Sequence, residues 1–137
     1  MGTVIRPETA KTNKYWMPKH RYYELKHFCL QYLEWKKAYS ALDGYDSCGY
    51  ENTYRTNEPS NPTHNYTEKR LAYLDKIRLI ERLAFDSDEE LASYILKAVT
   101  EGLSYTYLKS KLEIPCSRDT YYDRYRRFFW LLDKTRN

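Results

Sequence analysis

Arginine, aspartate and tyrosine side chains cluster near the carboxyl end of the chain. Arg118 can donate two hydrogen bonds to O6 and N7 of guanine, while Asp119 and Asp123 can accept from the amino group of cytosine. Tyr122 can stack on a sugar or contact a thymine methyl group. The chemistry that these side chains could perform is recognition of base edges in a nucleic-acid duplex.

A second set of side chains supplies hydroxyl groups and positive charge. Ser104, Tyr105 and Thr106 stand at the start of a short predicted helix, where N–H and hydroxyl groups can donate to a phosphate. Positive charge for the nucleic-acid backbone comes from four further residues: Lys109, Lys111, Arg126 and Arg127. The two sets together would read bases and hold phosphates.

A helix that begins near Ser117 must position the base-reading residues. Pro115 ends the preceding element, and the Ser117 hydroxyl can cap the free N–H groups of a first turn. Aromatic and apolar residues then recur at helical spacing: Tyr121, Tyr125, Phe128 and Leu132. This periodicity predicts that one side of the helix is buried and that the polar side faces outward.

Two shorter helices are predicted upstream of this segment. One ends at Gly102, and the next is capped by Ser104 and followed by a turn that contains Ile114. This layout over residues 88–134 is that of a tri-helical helix-turn-helix, in which the short helix braces the last one. The positions that must be apolar to close such a unit are all apolar or aromatic: Leu91, Ile95, Val99, Leu103, Leu108, Leu112, Ile114, Tyr121, Tyr125 and Phe128.

The rest of the chain divides by its periodicity. Residues 1–18 are predicted to be a loose N-terminal tail, with Tyr15-Trp16-Met17 as an alternative docking patch. Residues 19–42 carry a heptad-like aromatic stripe and predict one long amphipathic helix. Residues 43–66, rich in Gly, Asn, Ser, Thr and Pro, predict a flexible linker. Residues 67–137 form the helical domain.

Two details of this division bear on packing. A helix is predicted over residues 67–85, and the long helix is expected to pack against it, with packing between two copies of the chain as the alternative. The following break carries a capping box, with Ser87 at the cap and Glu90 three residues later. No segment alternates with period two for long enough to predict a strand, so the fold class is all-α.

Composition sets further limits. The formal net charge of +4 permits a polyanionic partner without requiring one. Three cysteines without paired spacing indicate free thiols and a reducing, cytoplasmic location, and no run of residues is apolar enough for a membrane span. The sequence shows no pattern typical of a catalytic site, a metal site or a cofactor site, so a non-enzymatic protein is predicted.

Residues 98–133 (AVTEGLSYTYLKSKLEIPCSRDTYYDRYRRFFWLLD) resemble the region-4-type helix-turn-helix of sigma-like regulators. With the block YYELKHFCLQY at residues 22–32, the chain is similar to phage and prophage proteins of Gram-positive bacteria related to the RinA/ArpU late-gene transcription regulators. The resemblance implies an all-α protein, often oligomeric, that binds double-stranded DNA at a phage promoter or operator and regulates structural or packaging genes.

The resemblance also implies roles for particular residues and partners. It places Ser104 and Tyr105 on phosphate, and five residues on bases: Arg118, Asp119, Thr120, Tyr122 and Asp123. It leaves open a contact with host RNA polymerase. The sequence departs from the pattern of these regulators at Tyr121 and Tyr122, where smaller residues are usual.

Two other functions fit the same features. A phage protein with aromatic helix faces could bind and inhibit a host or defence protein, with Tyr and Trp side chains as anchors. A DNA-packaging subunit of the small-terminase kind is a third interpretation. Sequence-specific duplex binding favours the regulator, sequence-blind binding by rings favours packaging, and a stable complex with a host protein favours the inhibitor.

Overall fold

The computed structural model describes residues 13–48 and 62–136. This part of the chain is helical and contains no strand, which confirms the prediction of an all-α fold. Six helices follow one another in order: α1 (Lys19–Leu30), α2 (Tyr32–Cys48), α3 (Pro62–Ser87), α4 (Ala92–Glu101), α5 (Tyr105–Lys111) and α6 (Arg118–Arg136).

The chain divides into two compact units. Unit 1 combines Met1–Gln31 with Ile80–Asn137, and unit 2 is Tyr32–Leu79. Within unit 1, α1 packs against α4 and α6, and α4 packs against α5 and α6. The candidate recognition helix and its predicted brace therefore belong to the same unit as the first helix of the chain.

The predicted long helix over residues 19–42 is two helices, so the prediction of one continuous helix is wrong. The break falls at Gln31, whose backbone N–H donates to the carbonyl of Phe28 at 3.3 Å. Its side-chain amide donates to the carbonyl of His27, also at 3.3 Å. These bonds satisfy carbonyl groups at the end of α1, so the backbone there needs no continuing helix.

The core of unit 1 contains the residues that the helical periodicity predicts to be buried. Of the ten positions that must be apolar to close the C-terminal unit, Leu103 and Leu112 are half-buried, and the other eight are buried. The largest fully buried side chains include Tyr121, Phe128 and Phe129. Aromatic side chains of α6 therefore fill much of this core, which gives the helix a fixed orientation.

Contacts between α1 and α6 combine ring packing with polar bonds. The rings of Tyr22 and Phe129 meet edge to face with centroids 5.2 Å apart, and the hydroxyls of Tyr22 and Tyr125 share a hydrogen bond of 3.0 Å. At the far end of α6, Arg21 Nε donates to the carboxylate of Asp133 at 2.6 Å. α6 is thus held along its length, at a buried hydroxyl pair and at a half-exposed ion pair.

The segment before α1 is part of the core where the structure describes it. Tyr15 and Met17 are buried, and the Tyr15 ring meets Trp130 of α6 edge to face at 5.6 Å. The prediction of a loose tail is therefore wrong for residues 13–18, and the Tyr15 side chain docks on the chain's own last helix. Residues 1–12 lie outside the described part.

The linker prediction over residues 43–66 is narrowed by the structure. α2 continues to Cys48 and α3 begins at Pro62, so both ends of the predicted linker are helical. The intervening residues, 49–61, lie outside the described part of the chain.

Unit 2 contains α2 and the first part of α3. Tyr32, Trp35 and Ile77 are buried. Lys76 Nζ lies 5.2 Å from the centroid of the Trp35 ring, and Arg70 Cζ lies 4.9 Å from that of Tyr39. These cation–π contacts, which are attractive when a cation lies over an aromatic face, join the two helices.

The junction between α3 and α4 does not contain the predicted capping box. Ser87 is buried, and its hydroxyl donates back to the carbonyl of Ala84 at 2.7 Å, so it is not the predicted cap. Asp88 instead closes the turn before α4, since its Oδ1 accepts from the backbone N–H groups of Glu90 at 2.9 Å and Leu91 at 3.1 Å. The N-cap of α4 is Leu91, which has no side-chain capping bond. The Asp88 side chain thus turns the chain into α4.

Replacing Asp88 by alanine is expected to lower the free energy of unfolding by about 1–2 kcal/mol, because two backbone N–H groups and the guanidinium of Arg124 lose their acceptor. Asp88→Asn keeps a side-chain oxygen and should lose less. Urea denaturation followed by circular dichroism measures both effects. The control is Asp86→Ala, which removes the same charge from an exposed position. An equal loss in Asp86→Ala and Asp88→Ala would contradict the role of Asp88 in holding this turn.

The ends of α4, α5 and α6 follow the predicted signals. Gly102 ends α4 with φ +72°, a left-handed conformation that glycine adopts without steric cost. The Ser104 hydroxyl accepts from the N–H of Tyr107 at 3.2 Å at the start of α5. The Ser117 hydroxyl accepts from the N–H of Thr120 at 3.3 Å at the start of α6. In the described residues, no helix is both long and apolar enough to cross a membrane.

Candidate nucleic-acid interface

The start of α6 is fixed against α5 by the tyrosine at the first position of α5. Tyr105 is buried, its ring lies 5.4 Å from that of Tyr121, and its hydroxyl donates to the carbonyl of Cys116 at 2.7 Å. Leu108 of α5 and Ile114 of the following turn are fully buried beside them. The short helix therefore holds both the turn before α6 and the buried face of α6.

The turn between α5 and α6 is closed by a backbone bond. The N–H of Ile114 donates to the carbonyl of Leu108 at 3.1 Å. Glu113 takes a φ of +53° to make this turn, a conformation in which a side chain costs free energy. The tight turn sets the spacing between α5 and the first residues of α6.

Arg118 is exposed and is held by aromatic rings from two helices. Its Nη1 donates to the hydroxyl of Tyr122 at 3.1 Å. The guanidinium carbon lies 5.1 Å from the ring centroid of Tyr105 and 5.9 Å from that of Tyr122. The guanidinium thus stays at the surface at the first turn of α6 while its orientation is restricted.

The other residues predicted to contact bases have different surroundings. Asp119 and Thr120 are exposed, and the hydroxyls of Thr120 and Ser117 lie 3.0 Å apart. Tyr122 is half-buried, next to the ring of Tyr121 at 5.6 Å. Arg118, Asp119 and Thr120 are the members of the set that stand most freely toward solvent.

Asp123 takes part in an ion-pair chain that the sequence did not predict. Its carboxylate accepts from Nη1 of Arg124 at 2.7 Å, and the Nε of Arg124 donates to Oδ2 of Asp88 at 2.9 Å. The paired carboxylates raise the pKa of Arg124, with the bond to Asp88 as the largest cause. Asp123 therefore helps to hold Arg124, and with it the α3–α4 junction, although its side chain is 44% exposed.

The residues predicted to contact phosphate divide in the same way. Thr106, Lys109 and Lys111 are exposed on α5, and Arg126 and Arg127 are half-buried on α6. The hydroxyls of Ser104 and Tyr105 already bond within the chain, to the N–H of Tyr107 and the carbonyl of Cys116. Five members of the predicted phosphate set thus keep their polar ends accessible to some degree.

Comparison of the chain with protein-family models, with curated proteins and with solved structures finds no match. Within the described residues, no three His, Cys, Asp or Glu side chains lie together in a way that could hold a metal ion. The functional assignment depends on the geometry of the chain's own residues.

The thiol of Cys116, beside the start of α6, does not have the properties of an activated nucleophile. Burial raises its pKa, the carboxylate of Asp88 raises it further, and the ammonium of Lys109 opposes them. A thiolate stabilised by the helix N-terminus would show a lowered pKa. Cys116 is therefore best described as a turn residue.

Sequence reasoning missed two features of this surface: the stacking of Tyr105 on Arg118 and the chain from Asp88 to Arg124. Both join residues of different elements, so no spacing within one helix reveals them. The bond between Arg118 and Tyr122 is different, because their separation of four residues places them side by side on one helix face. That spacing was available in the sequence.

Proposed function

We propose that the chain is a phage-type DNA-binding transcription regulator that binds a duplex sequence-specifically through α6. In this proposal α4, α5 and α6 act as a tri-helical helix-turn-helix, α6 lies in the major groove, and α5 braces it. Arg118, Asp119 and Thr120 meet base edges first because they stand at the exposed N-terminal end of α6. Asp123 lies one turn further along.

The observation that carries the proposal is the placement of Arg118. An arginine that forks onto O6 and N7 of guanine must be at the surface and must point in a defined direction. Arg118 satisfies both conditions, since it is exposed and lies against Tyr105 and Tyr122. A surface arginine without such neighbours would lose more side-chain freedom on binding.

Positive charge on both sides of Arg118 supports the same function. Lys109 and Lys111 are exposed on α5, and Arg126 and Arg127 lie further along α6. Contacts from such side chains to phosphates release counterions, so affinity should fall steeply as salt rises. The carboxylate of Asp119 among these cations disfavours indiscriminate binding to phosphate and suits sequence-specific recognition.

Arg118→Ala is expected to weaken binding to the specific duplex by about 1–3 kcal/mol and to reduce discrimination against substituted sites. Gel shifts with fragments tiled across the chain's own genomic neighbourhood identify the duplex, and a titration at several salt concentrations measures the loss. Arg82→Ala, which removes one charge from an exposed position on α3, is the control. Equal losses in both variants would indicate non-specific attraction, and no binding by the wild-type chain at any salt would refute the function.

A protein-binding role is the second candidate. Phe85 of α3 and Tyr107 of α5 are 53% and 45% exposed, and large rings at the surface often anchor protein partners. On this interpretation the chain binds and inhibits a host or defence protein. A stable complex that is lost in Tyr107→Ala, together with an absence of duplex binding, would support it over the regulator.

A further inference from the structure

Tyr122 lies between two arginines on one face of α6. Arg118 precedes it by four residues and Arg126 follows it by four, so the three side chains form one stripe along the helix. The guanidinium carbons of the two arginines lie 5.9 Å and 5.8 Å from the ring centroid of Tyr122. One aromatic ring is therefore shared by two cations.

The hydroxyl of Tyr122 is also engaged. It accepts a hydrogen bond of 3.1 Å from Nη1 of Arg118. This bond uses one of the five N–H groups of a guanidinium and leaves the fork able to donate elsewhere. The Tyr122 ring is itself fixed, with Tyr121 at 5.6 Å and Tyr105 edge-on at 6.5 Å. The ring thus connects the buried tyrosines to the exposed Arg118 and the half-buried Arg126.

These contacts have a consequence for binding. An arginine side chain has about 2 kcal/mol of rotamer entropy, and part of it is lost when the side chain contacts a ligand. A guanidinium that already lies against a fixed ring loses less. In the free protein the stripe therefore holds two cations near the positions from which they would contact a ligand.

We propose that Tyr122 is a positioning residue, which orients Arg118 toward a base and Arg126 toward a phosphate without contacting the nucleic acid itself. The inference rests on the proposed function. It differs from the role of Tyr122 that the sequence predicts, which is direct contact with a sugar or a thymine methyl group. The ring already has a cation on each side along the helix, and the hydroxyl already accepts a bond.

Two substitutions separate the hydroxyl from the ring. Tyr122→Phe keeps the ring and loses the bond to Arg118, and we expect binding to weaken about 2- to 5-fold. Tyr122→Leu loses both, and we expect about 5- to 30-fold weaker binding because the two cation–π contacts disappear. The probe is the genomic duplex that the wild-type chain binds most tightly. Thermal melting checks that each variant is folded.

A double-mutant cycle distinguishes positioning from direct contact. If Tyr122 acts through the arginines, Tyr122→Leu should cost little in a chain that already carries Arg118→Ala and Arg126→Ala. In the otherwise wild-type chain, Tyr122→Leu should also lower the slope of log affinity against log salt by up to about one, because Arg126 is no longer held toward its phosphate. A neutral tyrosine in direct contact with a base would leave that slope unchanged.

The outcomes distinguish failure of the positioning role from failure of the proposed function. Additive losses with an unchanged salt slope would overturn the positioning role and leave the regulator intact. Non-additive losses with a lower slope would support positioning. A wild-type chain that binds no duplex would overturn the proposed regulator and this inference together. That result would be seen before any variant is compared.

Discussion

Replacing Phe128 by alanine is expected to lower the free energy of unfolding by about 3–5 kcal/mol, which is the usual cost of deleting a buried phenyl ring. Phe128 is 0% exposed, and its ring meets that of Phe129 at nearly a right angle with centroids 5.1 Å apart. The cavity left by the substitution would lie among fully buried neighbours that have little room to collapse. A loss of this size is a large fraction of the stability of an ordinary domain.

Urea denaturation followed by circular dichroism measures this loss. Phe85→Ala is the matched control, since it deletes the same ring from a position on α3 that is 53% exposed. We expect the control to change stability by about 0.5 kcal/mol or less, as is usual for surface substitutions. If Phe128→Ala and Phe85→Ala cost the same, the assignment of Phe128 to the core is wrong.

The burial of Phe128 shows what periodicity can predict. Tyr121, Tyr125, Phe128 and Leu132 recur at helical spacing in the sequence, and all four are buried in the structure. The prediction succeeds because an apolar stripe of this kind can leave water only by facing a core, whatever the partner is. The helix ends at Gly102 and Ser104 were predictable for a similar reason, since their signals are local.

The features that sequence reasoning missed depend on residues distant in the chain. The break at Gln31 is the exception, because its hydrogen bonds are to the local carbonyls of His27 and Phe28. Asp88, and not Ser87, closes the turn before α4, and its second carboxylate oxygen accepts from Arg124, a partner on another helix. In the sequence Tyr15 belongs to an apparently polar tail, whereas in the structure its ring packs against Trp130 of α6. No local pattern contains these partners.

The candidate interface was also predictable only in part. The exposure of Arg118, Asp119 and Thr120 follows from the polar face of α6 and needs no tertiary information. The orientation of the Tyr105 side chain cannot be predicted in this way, since a tyrosine at the start of a short helix can point outward or inward. In the structure it points inward, and its hydroxyl donates a hydrogen bond to the carbonyl of Cys116.

Two buried tyrosines of α6 are expected to make the protein sensitive to alkali. Burial is the largest cause that raises the pKa of Tyr121 and of Tyr125, and the hydrogen bond and proximity of Tyr22 raise that of Tyr125 further. In the unfolded chain these phenols would ionise near pH 10. The unfolded state therefore loses its protons first as the pH rises.

This order of deprotonation sets the sign of the pH effect. Below about pH 10 both states hold the protons, and the stability that these tyrosines provide is fully present. Above that pH the unfolded state binds fewer protons than the folded state, so the free energy of unfolding falls and goes on falling up to the raised pKa values. Each unit of difference in pKa is worth about 1.4 kcal/mol, so the two tyrosines together should produce a large loss.

Thermal melting from about pH 8 to about pH 11 should show this decline, and Tyr121→Phe should make it shallower. Phenylalanine keeps the ring contact with Tyr105 and has no proton to lose, so the variant no longer favours the ionised unfolded chain. Tyr107→Phe, at a position 45% exposed, is the control and should melt with the pH dependence of the wild-type chain. A Tyr121→Phe curve parallel to that of the wild type would show that this hydroxyl is hydrated in the folded protein. In that case the packing of α5 against α6 would be looser than the buried Tyr121 ring indicates, and the base-reading face would lack a rigid support.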